Sequence, residues 1–274
     1  MKIIIILVLI TLGLAAAVLT GKKAVELSEA KGDGNQPVTA GTVIPVLVEL
    51  FTSEGCSSCP PADDLLAKLE QTQPVAGAEI IALSEHVDYW NRLGWADPYS
   101  SAEFSERQNS YARAFDTDDI YTPQMIVDGR VQFVGSNKDR ARQAISEAAR
   151  AAKARVEISL SSANVDSANL AISISDLQSA WTGDSAEVLL AITESGLRSS
   201  VARGENAGRS LHHTAVVRAL SSLGSIDSQS KSFSAEPVVR LEKKWKRENL
   251  KAVVFVQERA SRRVLGASQI SIMK

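Results

Sequence analysis

One stretch limits the fold more than any other: residues 46–69, VLVELFTSEGCSSCPPADDLLAKL. Apolar and β-branched residues run to Phe51, and a polar turn with Gly55 follows. Then come Cys56-Ser57-Ser58-Cys59, two prolines and an amphipathic segment. The pattern predicts strand, tight turn, C-x-x-C and helix, the setting in which a cysteine pair at this spacing reads as a redox motif. Unpaired N–H groups and the positive end of a helix favour a thiolate at the first cysteine. Cys56 is therefore the expected attacking thiol, the more exposed of the two, and Cys59, one turn further in, the resolving thiol. Pro60 and Pro61 suit a first helical turn, where no N–H is needed. Glu54, Asp63 and Asp64 crowd the pair, and no Lys or Arg follows it before Lys68. Like charge disfavours a thiolate, so a strongly acidic Cys56 is not expected.

With two cysteines in 274 residues, any disulfide is the local Cys56–Cys59 one, and a multiply stapled extracellular scaffold is excluded. The length suffices for two domains. A hydrophobic content of 45% and a net charge of -2, with no basic block, fit a globular protein and argue against nucleic-acid binding. Lys2 precedes an apolar run over residues 3–19, and Ala15-Ala16-Ala17 offers a small-residue cleavage site. Residues 1–24 read as a cleaved signal peptide that exports the chain to the periplasm or beyond. The alternative is an uncleaved membrane anchor, for which the run is slightly short. Residues 25–41, rich in Gly and polar side chains, read as a linker.

Residues 43–51 predict a strand, 59–73 a helix, 79–86 a second strand and 87–99 a long aromatic loop. Ser100 or Ser101 caps a helix running to residue 115. Residues 124–127 and 131–134 form a hairpin around Asp128-Gly129, and an Ala-rich helix spans 137–154. The order is β-α-β-α-β-β-α, with the first two strands parallel across a helical crossover. This is the element order of the thioredoxin fold. Pro123, in Tyr121-Thr122-Pro123-Gln124, stands just before the third strand, where that fold carries a cis proline beside the C-x-x-C. Thr122 and Pro123 are then expected to dock the backbone of an extended substrate. From residue 155 short alternating runs separated by turns predict seven or eight strands, an all-β sandwich or partial barrel. The expected division is thus 42–154, α/β thioredoxin-like, and 155–274, β-rich.

Residues 43–154 resemble a thioredoxin-like domain. FTSEGCSSCPPAD, the HVDYW and GW loop at 86–95, Arg107-Gln108 with Tyr111, and YTPQMIVDG are together similar to a bacterial exported family, catalogued as a domain of unknown function and predicted to be thioredoxin-like. The resemblance covers nearly all of the mature chain. It implies the fold and export, and no particular substrate or reaction. Relative to thioredoxins, Ser57-Ser58 replaces Gly-Pro, and an acidic residue replaces the Trp that precedes the cysteines.

His86 ends the second strand, on the sheet edge that carries Cys56. It is a hydrogen-bonded structural residue by default, with proton acceptor for Cys59 and soft-metal ligand as the other roles. Cu(I) held by Cys56, Cys59 and His86 is chemically sensible, and Asp88 is placed to orient His86. Zinc is disfavoured for want of a second cysteine pair. Tyr89, Trp90 and Trp95 either close a core or shape a groove for a partner. Arg107 either balances the acids near Cys56 or is a solvated helix charge, the second being the default. The loop at 203–209, RGENAGR, touches the first domain or a ligand, or is a turn with surface charges. His212 and His213 face opposite sides of a strand and carry no assigned chemistry. The function expected from these features is an exported thiol–disulfide oxidoreductase acting on protein thiols and disulfides, with no cofactor beyond its dithiol. The alternative is an exported copper-delivery or protein-binding module.

Overall fold

The computed structural model describes residues 43–181, 185–227, 229–230 and 232–273. The expected signal peptide and linker lie outside the described residues. Among these, no helix is long and apolar enough to cross a membrane. The first half contains β1 (Ile44–Thr52), α1 (Pro60–Thr72), β2 (Ala78–His86), α2 (Ala102–Ala114), β3 (Gln124–Val127), β4 (Val131–Val134) and α3 (Lys138–Ala148). The second contains β5 (Arg155–Ala163), β6 (Ser167–Ser175), α4 (Leu177–Ala180), β7 (Ala186–Glu194), β8 (Leu197–Ser200), β9 (Ser210–His213), β10 (Val216–Ile226), β11 (Phe233–Ala235), β12 (Val238–Arg240), β13 (Leu250–Glu258) and β14 (Val264–Ser271).

The fold is mixed α/β with a large sheet and few helices. That sheet has eight strands in the order β14-β13-β7-β10-β2-β1-β3-β4, so strands from both sides of residue 154 share it. β1 and β2 are parallel and in register from Ile44↔Ala78 to Thr52↔His86, as a helical crossover dictates. β3 and β4 are antiparallel to their neighbours. Asp128 and Gly129 turn between them with φ of 51° and 63°, a left-handed pair closed by Arg130 N–H on the Val127 carbonyl at 2.9 Å. β10 meets β2 through a single parallel bridge, Val216↔Ser84.

Alternation sorts the side chains to two faces. Val46, Val48 and Leu50 of β1 pack under α1 and α3 with Leu66, Leu69, Ala141 and Ile145. Farther along the same face, Val188, Leu190, Val254 and Val256 pack against Leu170, Ile172 and Ile174 of a second sheet, built from β5, β6, β11 and β12. The β-rich character expected for residues 155–274 is thus present, and one of its sheets continues into β1–β4. The other face is concave. The sheet curls until β14 touches β1, and Leu47, Ile81 and Leu83 meet Leu189, Val253, Phe255 and Val264 there. Val264 N–H closes the curl onto the Asp128 carbonyl at 2.9 Å.

Two sequence expectations are corrected. The third long helix ends at Ala148 rather than residue 154, because the chain must straighten for Ala154 N–H to reach the Leu265 carbonyl (2.7 Å) and for Lys153 to reach Asp128 (2.5 Å). Arg107 is not a solvated charge. It is buried on the concave face, where it donates to Glu49 through Nε (2.8 Å) and Nη2 (2.5 Å) and to Gln257 through Nη1 (3.0 Å). Glu85 lies 3.2 Å from the Arg107 Nε, and burial pushes its carboxyl well above the usual range. The guanidinium therefore serves a buried network with Tyr111 that ties α2 and β1 to β13.

Candidate dithiol site

The carboxyl ends of β1 and β2 open onto one edge of the sheet, where functional groups of parallel sheets collect. After Thr52 the chain turns, with Cys56 N–H on the Ser53 carbonyl at 3.2 Å, and enters α1 with Cys59 as the cap residue. Cys59 has no side-chain capping bond, and the prolines follow it at the first two helical positions, where a missing N–H costs nothing. Both thiols are free. The Thr122–Pro123 peptide is cis, and the Thr122 carbonyl accepts from the Cys56 thiol at 3.7 Å. Trp90 Nε1 donates to the Thr122 hydroxyl at 2.8 Å. Cys56, Cys59, Thr122, Pro123 and Trp90 thus lie together.

The two sulfurs are unequal. The hydrogen bond from Cys59 is the largest influence on Cys56, and with bonds from Ser58 and Thr122 it outweighs burial and brings the thiol down to about 6. Burial, together with that same bond, raises Cys59 far above the ordinary thiol range. The sequence argument against an acidic Cys56 fails because the hydrogen bonds to Cys56 outweigh the nearby acids, two of which have partners of their own. Glu54 accepts from Trp95 Nε1 (2.7 Å) and pairs with His213 Nε2 (2.9 Å). Asp63 accepts from the Thr52 hydroxyl at 2.8 Å, and burial lifts its carboxyl to about 7, so it carries little charge below neutrality. It also lines a cleft of about 250 Å³ with Pro60, Asp64, Arg209 and His212.

His86 lies on the expected edge, but its partner is Asp97 at 2.7 Å and not Asp88, whose carboxylate instead accepts from Ser105 at 2.5 Å. Asp97 folds back over a short helical turn, Asn91–Leu93, with its N–H on the Asn91 side chain. Burial alone would raise this carboxyl, but His86 and the N–H groups of Glu54 and Tyr99 hold it below the usual range. The rings of His86 and His213 stand 4.9 Å apart, and Tyr99 packs edge-on to both. His213 is therefore part of the site although its sequence position gave it no role. The only available signal was strand alternation, which buries one histidine of the pair and exposes the other. Among the described residues, no three His, Cys, Asp or Glu side chains are grouped so as to hold a metal ion.

The loop at 203–209 also arrives here. Asn206, fully buried, donates from Nδ2 to the carbonyls of Glu54 and Cys56, both at 2.9 Å. Glu205 accepts from Ser57 N–H at 2.9 Å. Cys56 is only 1% exposed and Cys59 not at all, which corrects the expectation of an open attacking thiol. A thiolate titrating near 6 makes a direct prediction. Alkylation of Cys56 by a neutral reagent should climb between pH 5 and 7 and level off above about 7.5, whereas an ordinary thiol near 8.5 would still be climbing there.

The fold and site together define an α/β protein with a dithiol at the functional edge of its sheet. The family described as "Protein of unknown function (DUF1223)" matches residues 47–257, and the chain belongs to that family. A structural-genomics protein from Agrobacterium tumefaciens is 30% identical, with a TM-score of 0.59 over 83% of this chain and 94% of that one. HBP35 of Porphyromonas gingivalis shares the fold at 15% identity, with a TM-score of 0.62 over 85% of this chain and 76% of that one. No curated protein matches the chain.

Proposed function

We propose that this protein is an exported thiol–disulfide oxidoreductase whose first half is thioredoxin-like. The observation that carries the reading is the split between the two thiols beside a cis proline, a lowered Cys56 facing the Thr122 carbonyl and a raised Cys59 behind it. In the reducing direction, the Cys56 thiolate attacks one sulfur of a protein disulfide. A mixed disulfide forms and the partner's other sulfur leaves as a thiolate that takes a proton from water. Cys59 then gives its proton to Asp63, poised near 7, and attacks the Cys56 sulfur. The Cys56–Cys59 disulfide forms and the partner's second thiolate departs. Two electrons have moved to the partner, and an external dithiol must restore the pair. Thr122 and Pro123 would align the partner's backbone, with Trp90 holding Thr122 in place. The apolar run at 3–19 supports export.

Equilibration in glutathione buffers tests this. A reversible two-electron transition between about −120 and −270 mV, the span of related dithiols, is the expected result, read by alkylation of the free thiols. Cysteines that stay alkylatable in the most oxidising buffer would overturn it.

A further inference from the structure

The dithiol is held by a piece of chain that lies about 150 residues away in sequence. The 203–209 loop joins β8 to β9, and its neck is closed by Val201 N–H on the Arg209 carbonyl (3.0 Å) and Gly208 N–H on the Val201 carbonyl (2.8 Å). Its tip reaches the C-x-x-C turn through three hydrogen bonds, two from Asn206 and one to Glu205. Arg209 Nη1 donates to Asn206 Oδ1 at 2.8 Å, which fixes the amide so that Nδ2 faces the two carbonyls. Gly204 and Gly208 bracket the contact residues with φ of +80° and +81°, values that glycine adopts without strain. Gly204 also comes close to Trp95, leaving only 3.3 Å from an added Cβ to the Trp95 Cβ. Beneath this, Cys56 is almost wholly covered although its neighbours Ser57 and Ser58 are exposed.

We propose that the 203–209 loop is a cover over the dithiol, latched by Glu205 and Asn206, and that these two residues decide which disulfides reach Cys56. With the latch closed, the thiolate is shielded from bulky reagents. When its three hydrogen bonds release, the loop tip swings on its two glycines and the sulfur faces solvent. A small reagent needs a partial opening, and a protein disulfide needs a full one. The proposal rests on the dithiol reading for its biological meaning, but its test needs only a reactive thiol.

The reduced full chain is alkylated at pH 8, where the Cys56 thiolate is fully formed, with N-ethylmaleimide and separately with a maleimide carried on a long polyethylene glycol chain. Mass spectrometry locates the label. Asn206→Ala removes two of the three latch bonds, and opening is then expected to become roughly tenfold more frequent. Labelling of Cys56 by the bulky maleimide should rise by about that factor, with a smaller gain for N-ethylmaleimide. Glu205→Gln, an exposed change that leaves the fold intact, should give a smaller gain of the same kind. Unchanged labelling in both variants, or a lowered melting temperature without faster labelling, would overturn the cover. A failed glutathione titration with accelerated labelling would instead sink the redox reading and leave the cover standing.

Discussion

Cys56→Ser is expected to bring disulfide exchange down to the uncatalysed background, a loss of about a thousandfold or more. A serine hydroxyl is not ionised near neutrality and cannot form the mixed disulfide on which the reaction depends. Cys59→Ser should act differently. Cys56 still attacks, but nothing resolves the adduct, so a partner bearing a disulfide accumulates as a covalent complex that a reductant dissolves. Cys59→Ala would also remove the hydrogen bond that does most to lower Cys56, so in that variant the first attack should reach its plateau at a higher pH than in the parent protein. The readouts are reduction of a protein disulfide for the first variant and a non-reducing gel for the second. Exchange activity that survives Cys56→Ser would refute the assignment of the nucleophile.

Gly129→Ala is expected to be the most damaging single methyl group in the fold. A Cβ at this position would stand 1.8 Å from the Arg262 carbonyl oxygen and 2.7 Å from its carbon. Both are main-chain atoms and cannot turn aside. The β13–β14 turn must move, and with it the bond from Val264 to the Asp128 carbonyl that closes the curled sheet. The left-handed φ of 63° adds its own strain. Together these should cost about 3 kcal/mol or more, lowering the melting temperature by roughly 10 °C. Gly208→Ala is the control. It has a comparable φ of +81° but open space around the added carbon, so only the conformational cost of about 1 kcal/mol applies. Equal losses in the two variants would show that the clash is relieved without consequence.

Local features of the fold were legible in the sequence. The apolar run of β1, the turn, the cysteine spacing, the Ser101 cap and the Asp128-Gly129 hairpin each follow from residues within one turn or one pleat of each other. What escaped depends on contacts between distant segments. β10 lies beside β2 by one bridge between residues 132 apart in sequence, Val216 and Ser84, and no local pattern encodes that neighbour. Arg107 sits on a helix with an ordinary polar sequence, and only the curl of the sheet reveals that its carboxylate partners lie on the concave face. Asp88 is nearer to His86 along the chain than Asp97 is, yet the turn at Asn91–Leu93 reverses that order in space. Asn206 and His213 belong to the second half, and their place beside the cysteines appears only once β9 packs on α1.

The position of β10 has a consequence for how the chain must be made and handled. On one side β2 borders β1, and on the other its neighbour arrives only when residue 216 has been synthesised. A fragment stopped after residue 154 would lack the one bridge that Val216 makes to Ser84 on that flank. It would also lack the asparagine and histidine that seat on the cysteine turn. The first half is therefore poorly suited to transplantation as a stand-alone cassette, and a nascent chain must wait for its last third before Asn206 and His213 can seat beside the cysteine turn.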